Sequence, residues 1–458
     1  MAADHSPSVT GDASGLEAAV GAVLDGLKTF RACYWAPILL GLIMLFDSWD
    51  SIAIAYTMPS MSAEWRLNPV IMGLLISAGY CGQFFGAIIF GAVAEKRGRM
   101  PTFVVTMTLM SLIALGTAWT PNYQTLLALR FFEGLMIGGA LPISVTYINE
   151  LAPTMTRGRY FAIFQWLCMS GYAASSVSAA YVIPHWGWRW LFGLGAIPIL
   201  LIPLAAATLP ESPRWLARKG RLHDANKALA KLGGAPAQPS AAAPASAEAS
   251  ATAPQLTLAV LFGPVFGART IVVLLLWFLN AFANFGLTTW VPSIYVTAFH
   301  MPVATALRYA AAASLGFLVI TPIVGFLMDR VGRRPIAILG NFLGAATMLL
   351  LAVWRPPGDL LLVTIVVTGQ LGTSATAFLL WPFTAESYPT NIRAVAMGLA
   401  SAVARASSML TPLVTGVILG TGAPIAIVFT TYGVCSLCVF LLWILRTRET
   451  ARVTLDSI

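Results

Sequence analysis

Charge is what this sequence has least of. Only 10% of its 458 residues are Asp, Glu, Lys or Arg, where a soluble domain carries about 25%. A chain that is also 58% hydrophobic cannot dress a water-soluble surface, so a bilayer is its expected solvent. Histidine is almost as scarce: His5, His185, His223 and His300 are dispersed, which gives no clustered metal ligands. There is no G-x-x-x-x-G-K loop to cradle a nucleotide phosphate, so an ATP-driven machine is set aside. The five cysteines (Cys33, Cys81, Cys168, Cys435 and Cys438) fall in or beside apolar segments. Cys435 and Cys438 form a C-x-x-C with no second pair or histidine nearby, and read as packed thiols rather than a metal or redox centre. The first 30 residues lack the basic start and apolar core of a cleavable signal peptide. Residues 16 to 30 suit either a short amphipathic helix on the cytoplasmic surface or an unstructured tail.

What the sequence has instead is long apolar blocks. About 20 helical residues cross ~30 Å of hydrocarbon. Blocks of that length fall near 34–58, 70–94, 101–119, 123–149, 160–184, 188–208, 269–296, 304–328, 335–354, 360–384, 392–419 and 424–445. They are continuous rather than alternating, which favours helices over a barrel. With the N-terminus inside, the outer loops receive only Arg66, Arg189, Arg308 and Arg355, and the spans hold Arg130 and Arg405. The remaining lysines and arginines face the cytoplasm, as the positive-inside rule requires. The net charge of +9 therefore lies beside anionic lipid, and nucleic acid is not implied. The expected organisation is a cytoplasmic tail (1–33), six spans (34–208), a cytoplasmic loop (209–268), six spans (269–445) and a cytoplasmic tail (446–458). The loop begins PESPRWLARKGRLHDANKALAKL, a basic interfacial helix, and continues GGAPAQPSAAAPASAEASATAPQ, a flexible linker by composition.

The two halves repeat one another. GAVAEKRGR (91–99) follows span 2 and GFLMDRVGR (325–333) follows span 8; ELAPTMTR (150–157) follows span 4 and ESYPTNIR (386–393) follows span 10. Two motifs recurring in order at a nearly constant offset predict two homologous six-helix bundles facing each other. With twelve spans, G-x-x-x-D-R-x-G-R after spans 2 and 8, and R-x-x-x-G in span 4, the chain resembles the major facilitator superfamily over nearly its whole length outside the tails and linker. The resemblance implies an all-α membrane fold of two pseudo-symmetric six-helix bundles with both termini cytoplasmic. It also implies a cytoplasmic gate of Glu95, Arg97, Arg99, Glu150, Arg157, Asp329, Arg330, Arg333, Glu386 and Arg393. Ion pairs and arginine–carbonyl bonds at these helix ends are expected to break when the halves rock apart. Glu95 and Lys96 stand where the first copy of the pattern has Asp and Arg.

Within that superfamily, PESPRWL (210–216) resembles the sugar porters and related organic-acid symporters. The likeness implies a substrate-binding role for Gln165 and for Trp381, and a proton-linked pair of Asp50 in span 1 with Arg130 in span 4. Against the sugar branch, span 7 carries WFLNAFANFG (277–286) in place of paired glutamines, leaving Asn280 and Asn284 as the polar candidates. DSWD (47–50) and an arginine in span 11 look closer to the aromatic-acid and metabolite:proton symporters, whose span 1 signature is D-G-x-D. Ser48 replaces its glycine, so helix packing there is expected to differ.

Five ionisable groups sit within the spans: Asp47, Asp50, Arg130, Glu133 and Arg405. At ~1.5 Å per residue, Asp50 and Arg130 lie level, roughly 13 and 11 Å from the outer edge. Asp47 and Glu133 lie deeper, and Arg405 is near the midplane. Three carboxylates against two guanidinium groups leave one negative charge uncompensated, so one acid is expected to hold a proton in some state. Glu133 reads either as a second proton site or as a partner for Arg405. Arg405 itself reads as the group that binds a substrate carboxylate, with a structural ion pair to Asp47 or Glu133 as the alternative. The expected function is import of a small organic anion, an aromatic or related carboxylic acid, driven by protons through alternating access. No cofactor is expected beyond the proton as coupling ion, no partner beyond substrate and lipid, and a monomer suffices. A sugar or polyol symporter, a drug or metabolite exporter, a membrane sensor and an enzyme are the alternatives, in falling order.

Overall fold

A computed structural model describes residues 9–27, 34–153, 157–238 and 258–450. His5, Lys28, Arg31, Cys33, Arg452, residues 154–156 of the first repeated motif and most of the alanine-rich linker lie outside the described residues. Among the described residues all regular structure is helical. A peripheral helix α1 (Val9–Asp25) precedes α2 (Ala36–Trp65), α3 (Pro69–Arg97), α4 (Arg99–Ala118), α5 (Tyr123–Leu151) and α6 (Arg157–Trp186). The sixth apolar block forms two pieces, α7 (Trp188–Gly195) and α8 (Pro198–Thr208), where the sequence pattern suggested one. Pro198 marks the start of the second piece: it has no N–H to donate to the preceding turn and stands at the first turn of α8, where none is needed. Short helices α9 (Pro213–Arg218), α10 (Leu222–Lys231) and α11 (Leu258–Leu261) lie between the halves. The second half is α12 (Gly267–Thr297), α13 (Val303–Val331), α14 (Arg333–Val353), α15 (Asp359–Glu386), α16 (Thr390–Gly420) and α17 (Ile425–Arg446).

Among the described residues eleven helices are long and apolar enough to cross a membrane, with α7 and α8 taken as one. The remaining long helix, α6, has 30 residues, and its arginines and serines make it less apolar. It packs its length between α2 and α13. The surface helix expected over residues 16 to 30 forms earlier, as α1, and its apolar face covers protein. Val20, Leu24 and Leu27 are buried in the core of the first half, and Glu17 lies 3.8 Å from Arg218 of α9.

The packing of the two halves is asymmetric along the membrane normal. At the end away from the arginine-rich loops, one apolar core runs across both halves, joining Ile52, Tyr56 and Met58 of α2 to Leu287, Trp290 and Ile294 of α12 and Tyr432 of α17. Polar contacts cross the same seam: Tyr56 Oη lies 2.8 Å from Ser314 Oγ, and Ser77 Oγ donates to Met409 O at 2.7 Å. At the basic end the cores separate. One holds Leu40, Phe103, Tyr147 and Phe164; the other holds Leu276, Leu379, Val439 and Trp443. The halves therefore close on each other at the far end and part at the basic end.

The repeated motifs build one device twice. In the first half Arg99 donates to Glu150 (3.1 and 3.3 Å) and Glu95 (2.7 Å), and Arg218 also reaches Glu150. In the second half Arg333 donates to Glu386 (2.9 Å) and lies 3.1 Å from Asp329. Two further glutamates, which sequence reasoning missed, cap the helices that these arginines begin. Glu211 accepts the backbone N–H groups of Arg99 and Met100 at the start of α4. Glu449 accepts those of Arg333 and Arg334 at the start of α14. An anion there meets unsatisfied donors and the positive end of the helix dipole. Gly98 (φ 111°) and Gly332 (φ 103°) have left-handed backbone, and a Cβ would stand 2.2 Å from Glu211 Oε2 or 2.5 Å from Glu449 Oε2. The glycine of each R-G-R or V-G-R turn is thus required twice over, by backbone and by space. Burial pushes the Glu211 carboxyl above its ordinary range, and the N–H donors of Ser212, Arg99 and Met100 and the Arg99 charge oppose that. The signal was present in the sequence as PES (210–212) and RET (448–450), one after the last helix of each half. Residues 447–450, expected as the start of a tail, are accordingly packed, with Thr450 Oγ1 donating to Glu386 at 2.6 Å.

The ion pairs of Arg99, Glu150, Arg333 and Glu386 each lie inside one half, so in this conformation, with the basic ends parted, they brace the helix ends of their own bundle. Arg330 stacks on Phe326, 4.2 Å from its ring centre, Arg393 donates to Tyr388 O, and Arg97 and Arg157 sit at the basic ends of α3 and α6.

Candidate functional site

Successive residues of a helix point ~100° apart, and DSWD uses all four directions. Trp49 anchors α2 to α7, its Nε1 donating to Leu191 O at 3.2 Å. Ser48 faces α6, 3.4 Å from Cys168 Sγ. Its side chain fits because Gly171 stands opposite, where a Cβ would lie 3.0 Å from Ser48 Cβ. Asp47 and Asp50 point to two different arginines.

Asp50 is held by Arg130. Arg130 Nη1 donates to Asp50 Oδ1 and Oδ2 at 3.0 and 2.8 Å, and also to Glu133 Oε2 at 2.8 Å. All three side chains are buried, with Asp50 1%, Arg130 2% and Glu133 0% exposed. The expected pair is therefore a triad, and Glu133 is a partner of Arg130 rather than of Arg405. The R-x-x-x-G spacing positions it: a Cβ on Gly134 would stand 2.0 Å from Gly79 O, so only glycine lets α5 bring Arg130 this close to α3. Phe192 of α7 closes the other side, 5.7 Å from the guanidinium carbon. Two carboxylates on one guanidinium sum to a net negative charge in a dry site, where any uncompensated charge is expensive.

Asp47 and Arg405 form a different kind of couple. Asp47 is 6% exposed and its Oδ1 has no hydrogen-bond partner among the described residues. Arg405 faces it from the other half, close enough for their charges to interact, with Tyr172 of α6 in the same field. No ion pair joins the two, and among the described residues Arg405 has none with any other acid. The structural pairing to Asp47 or Glu133 is thus not made in this conformation. Arg405 is half-buried, and a guanidinium so placed can take a carboxylate as its partner.

Aromatic surface lies below this couple, toward the basic end. Trp381 is 48% exposed and meets Trp277 edge-on, ring centres 5.0 Å apart. Trp277 is fixed by an Nε1 bond to Thr384 Oγ1 at 2.9 Å. Asn280 is 1% exposed with its Oδ1 unpartnered. Asn284, by contrast, is engaged within its own half, donating to Thr373 and Ser374 at 3.2 and 2.7 Å. Gln165 is partly buried on α6, beside the highly exposed Trp166.

The family model for sugar (and other) transporters matches residues 41–458. The chain belongs to that family. The transporter is 29% identical to a niacin transporter of Acinetobacter baylyi over 449 residues, covering 95% of this chain and 98% of the relative. It is 28% identical to a 4-hydroxybenzoate transporter of Pseudomonas aeruginosa, covering 85% and 87%. Its fold superimposes on the inward-open xylose transporter of E. coli with a TM-score of 0.71 at 19% identity, covering 93% and 98%. It is a major facilitator fold, and the transporter is a multi-pass protein of the cytoplasmic (plasma or inner) membrane.

Proposed function

We propose that the protein imports a small aromatic carboxylate together with protons, by alternating access. The observation that carries this reading is Arg405, a half-buried guanidinium within a span that has no ion pair among the described residues. Trp381, nearly half exposed and braced edge-on by Trp277, offers a face on which a flat ring stacks. The relatives' printed substrates, niacin and 4-hydroxybenzoate, are a pyridine and a benzene carboxylate, and this supports the same assignment. The buried triad of Asp50, Arg130 and Glu133 supports proton coupling. Protonating either carboxylate removes its hold on Arg130 and so changes how α2, α3 and α5 fit together. By the positive-inside rule the basic end is cytoplasmic, so the conformation described above faces inward. One chain holds the whole pathway, and a monomer is sufficient.

The test is uptake into proteoliposomes. Nicotinate and 4-hydroxybenzoate should accumulate when the outside is acidic, and Arg405→Ala should abolish this while leaving the fold intact. Uptake of xylose but not of either acid would reverse the assignment. Uptake that follows sodium and ignores pH would overturn the coupling.

A further inference from the structure

Two acids in the first half share Arg130, whereas the third, Asp47, has for a cation only Arg405, the group assigned above to substrate. We propose that Asp47 and the substrate carboxylate compete for Arg405, so that binding the anion loads one proton from solvent onto Asp47. The proposal rests on the anion-site reading and deepens it, because it moves the substrate-linked proton from Asp50 to Asp47.

The argument is electrostatic and geometric. Asp47 is nearly fully buried, and its Oδ1 has no partner among the described residues. The titratable and charged groups around it are few. Asp50 lies one turn along the same helix, Cys168 and Tyr172 approach from α6, and Arg405 from α16. Asp50 is already bound by Arg130, and so is Glu133. Without substrate, Asp47 and Arg405 compensate each other at a distance. A carboxylate arriving between them takes the guanidinium into two short, directed bonds. Asp47 is then a buried anion beside two others, the substrate and Asp50. Such a group neutralises rather than remain charged. The proton comes from water in the open cavity and goes to a carboxylate oxygen of Asp47. Release at the cytoplasmic side runs in reverse: Asp47 gives up the proton, regains its claim on Arg405, and displaces the anion.

Calorimetry on the full-length purified transporter tests this, with nicotinate and 4-hydroxybenzoate as probes in two buffers of different ionisation enthalpy. In the wild type, binding should take up about one proton per ligand on the alkaline limb, where affinity should fall about tenfold per pH unit. Asp47→Asn should still bind, take up no proton, and hold an affinity that is flat with pH and tighter than wild type at high pH. A merely structural role for Asp47 would weaken binding without flattening that profile. Asp47→Ser is the second variant, and each variant's melting temperature reports folding. Retained proton uptake in both Asp47 variants overturns the proposal. Unchanged affinity in Arg405→Ala overturns the anion-site reading beneath it, and that result is distinct because it leaves the Asp47 profile unexplained rather than contradicted.

Discussion

Removing Arg130 while keeping its carboxylates separates structure from chemistry most sharply. Arg130→Gln keeps a polar amide at the site, shortens the side chain by two atoms and loses its charge. It deletes three charge-assisted contacts from Nη1, of 3.0, 2.8 and 2.8 Å, and leaves Asp50 and Glu133 buried side by side. Breaking a buried ion pair from one side costs about 3–5 kcal/mol, because the remaining charge has no compensation. Here two charges remain, so about 4 kcal/mol at neutral pH is a fair expectation. Each half is of the size at which 1 kcal/mol moves Tm by about 2–4 °C, which gives a fall of about 8–16 °C for thermal unfolding in detergent. Two controls sharpen the result. The triple variant Asp50→Asn, Arg130→Gln, Glu133→Gln has the same shape and no charge, and should recover most of the loss. The defect of the single variant should also shrink from pH 8 to pH 5, as protons neutralise the stranded acids. A single variant that melts within about 2 °C of wild type, or a triple variant no better than the single, refutes the triad as the organising charge cluster.

Other outcomes follow from geometry in the same way. Gly98→Ala and Gly332→Ala should each cost about 2–3 kcal/mol, from left-handed backbone strain and a displaced helix cap; Gly91→Ala, with nothing within 4 Å of its Cβ, should change Tm by about 1 °C or less. Folding raises the Glu211 carboxyl, so the native chain holds more protons there than the unfolded one. Its contribution to stability therefore falls as pH rises above the ordinary glutamate value of about 4.3, and Glu211→Gln should flatten that part of the stability curve. A Cβ on Gly73 would stand 2.4 Å from Pro412 O across the outer seam, so Gly73→Val should wedge that seam open. Cysteine accessibility at the outer ends of α3 and α16 should rise, and unchanged labelling would count against the seam as the closed gate. Trp381→Ala should raise KM for 4-hydroxybenzoate about tenfold and Trp381→Phe much less, if stacking is its role; equal losses would point to packing instead.

Much of this molecule could be read from residue order because a bilayer leaves few choices. Apolar block length set the helices, arginine placement set their direction, and level depth brought Asp50 to Arg130. The parts that escaped have physical reasons. Glu133 was one candidate partner among several because a helix position alone does not say which way a side chain turns at its tip. Glu211 and Glu449 were missed because a cap acts on backbone N–H groups far away in sequence, so PES and RET display the glutamates without displaying what they cap. The braces at the basic end could not be sorted into pairs within a half and pairs across it, because sequence gives neighbours along the chain, not the plane that divides the bundles. The break between α7 and α8 was hidden inside an apolar run that composition treats as uniform, although Pro198 marked it.

The paired glutamate caps have a consequence for how force travels. Each half ties the segment after its last helix back to the start of its own third helix, at Glu211 for one and Glu449 for the other. Each bundle thereby contains a closed hoop, running from the start of its third helix to the segment after its last and fastened there by a glutamate. Motion between the hoops is borne at the outer seam, and the connection from one to the other needs only length. The transporter should therefore survive being made as two separate polypeptides divided within the alanine-rich stretch, assembling as two latched parts that find each other in the membrane.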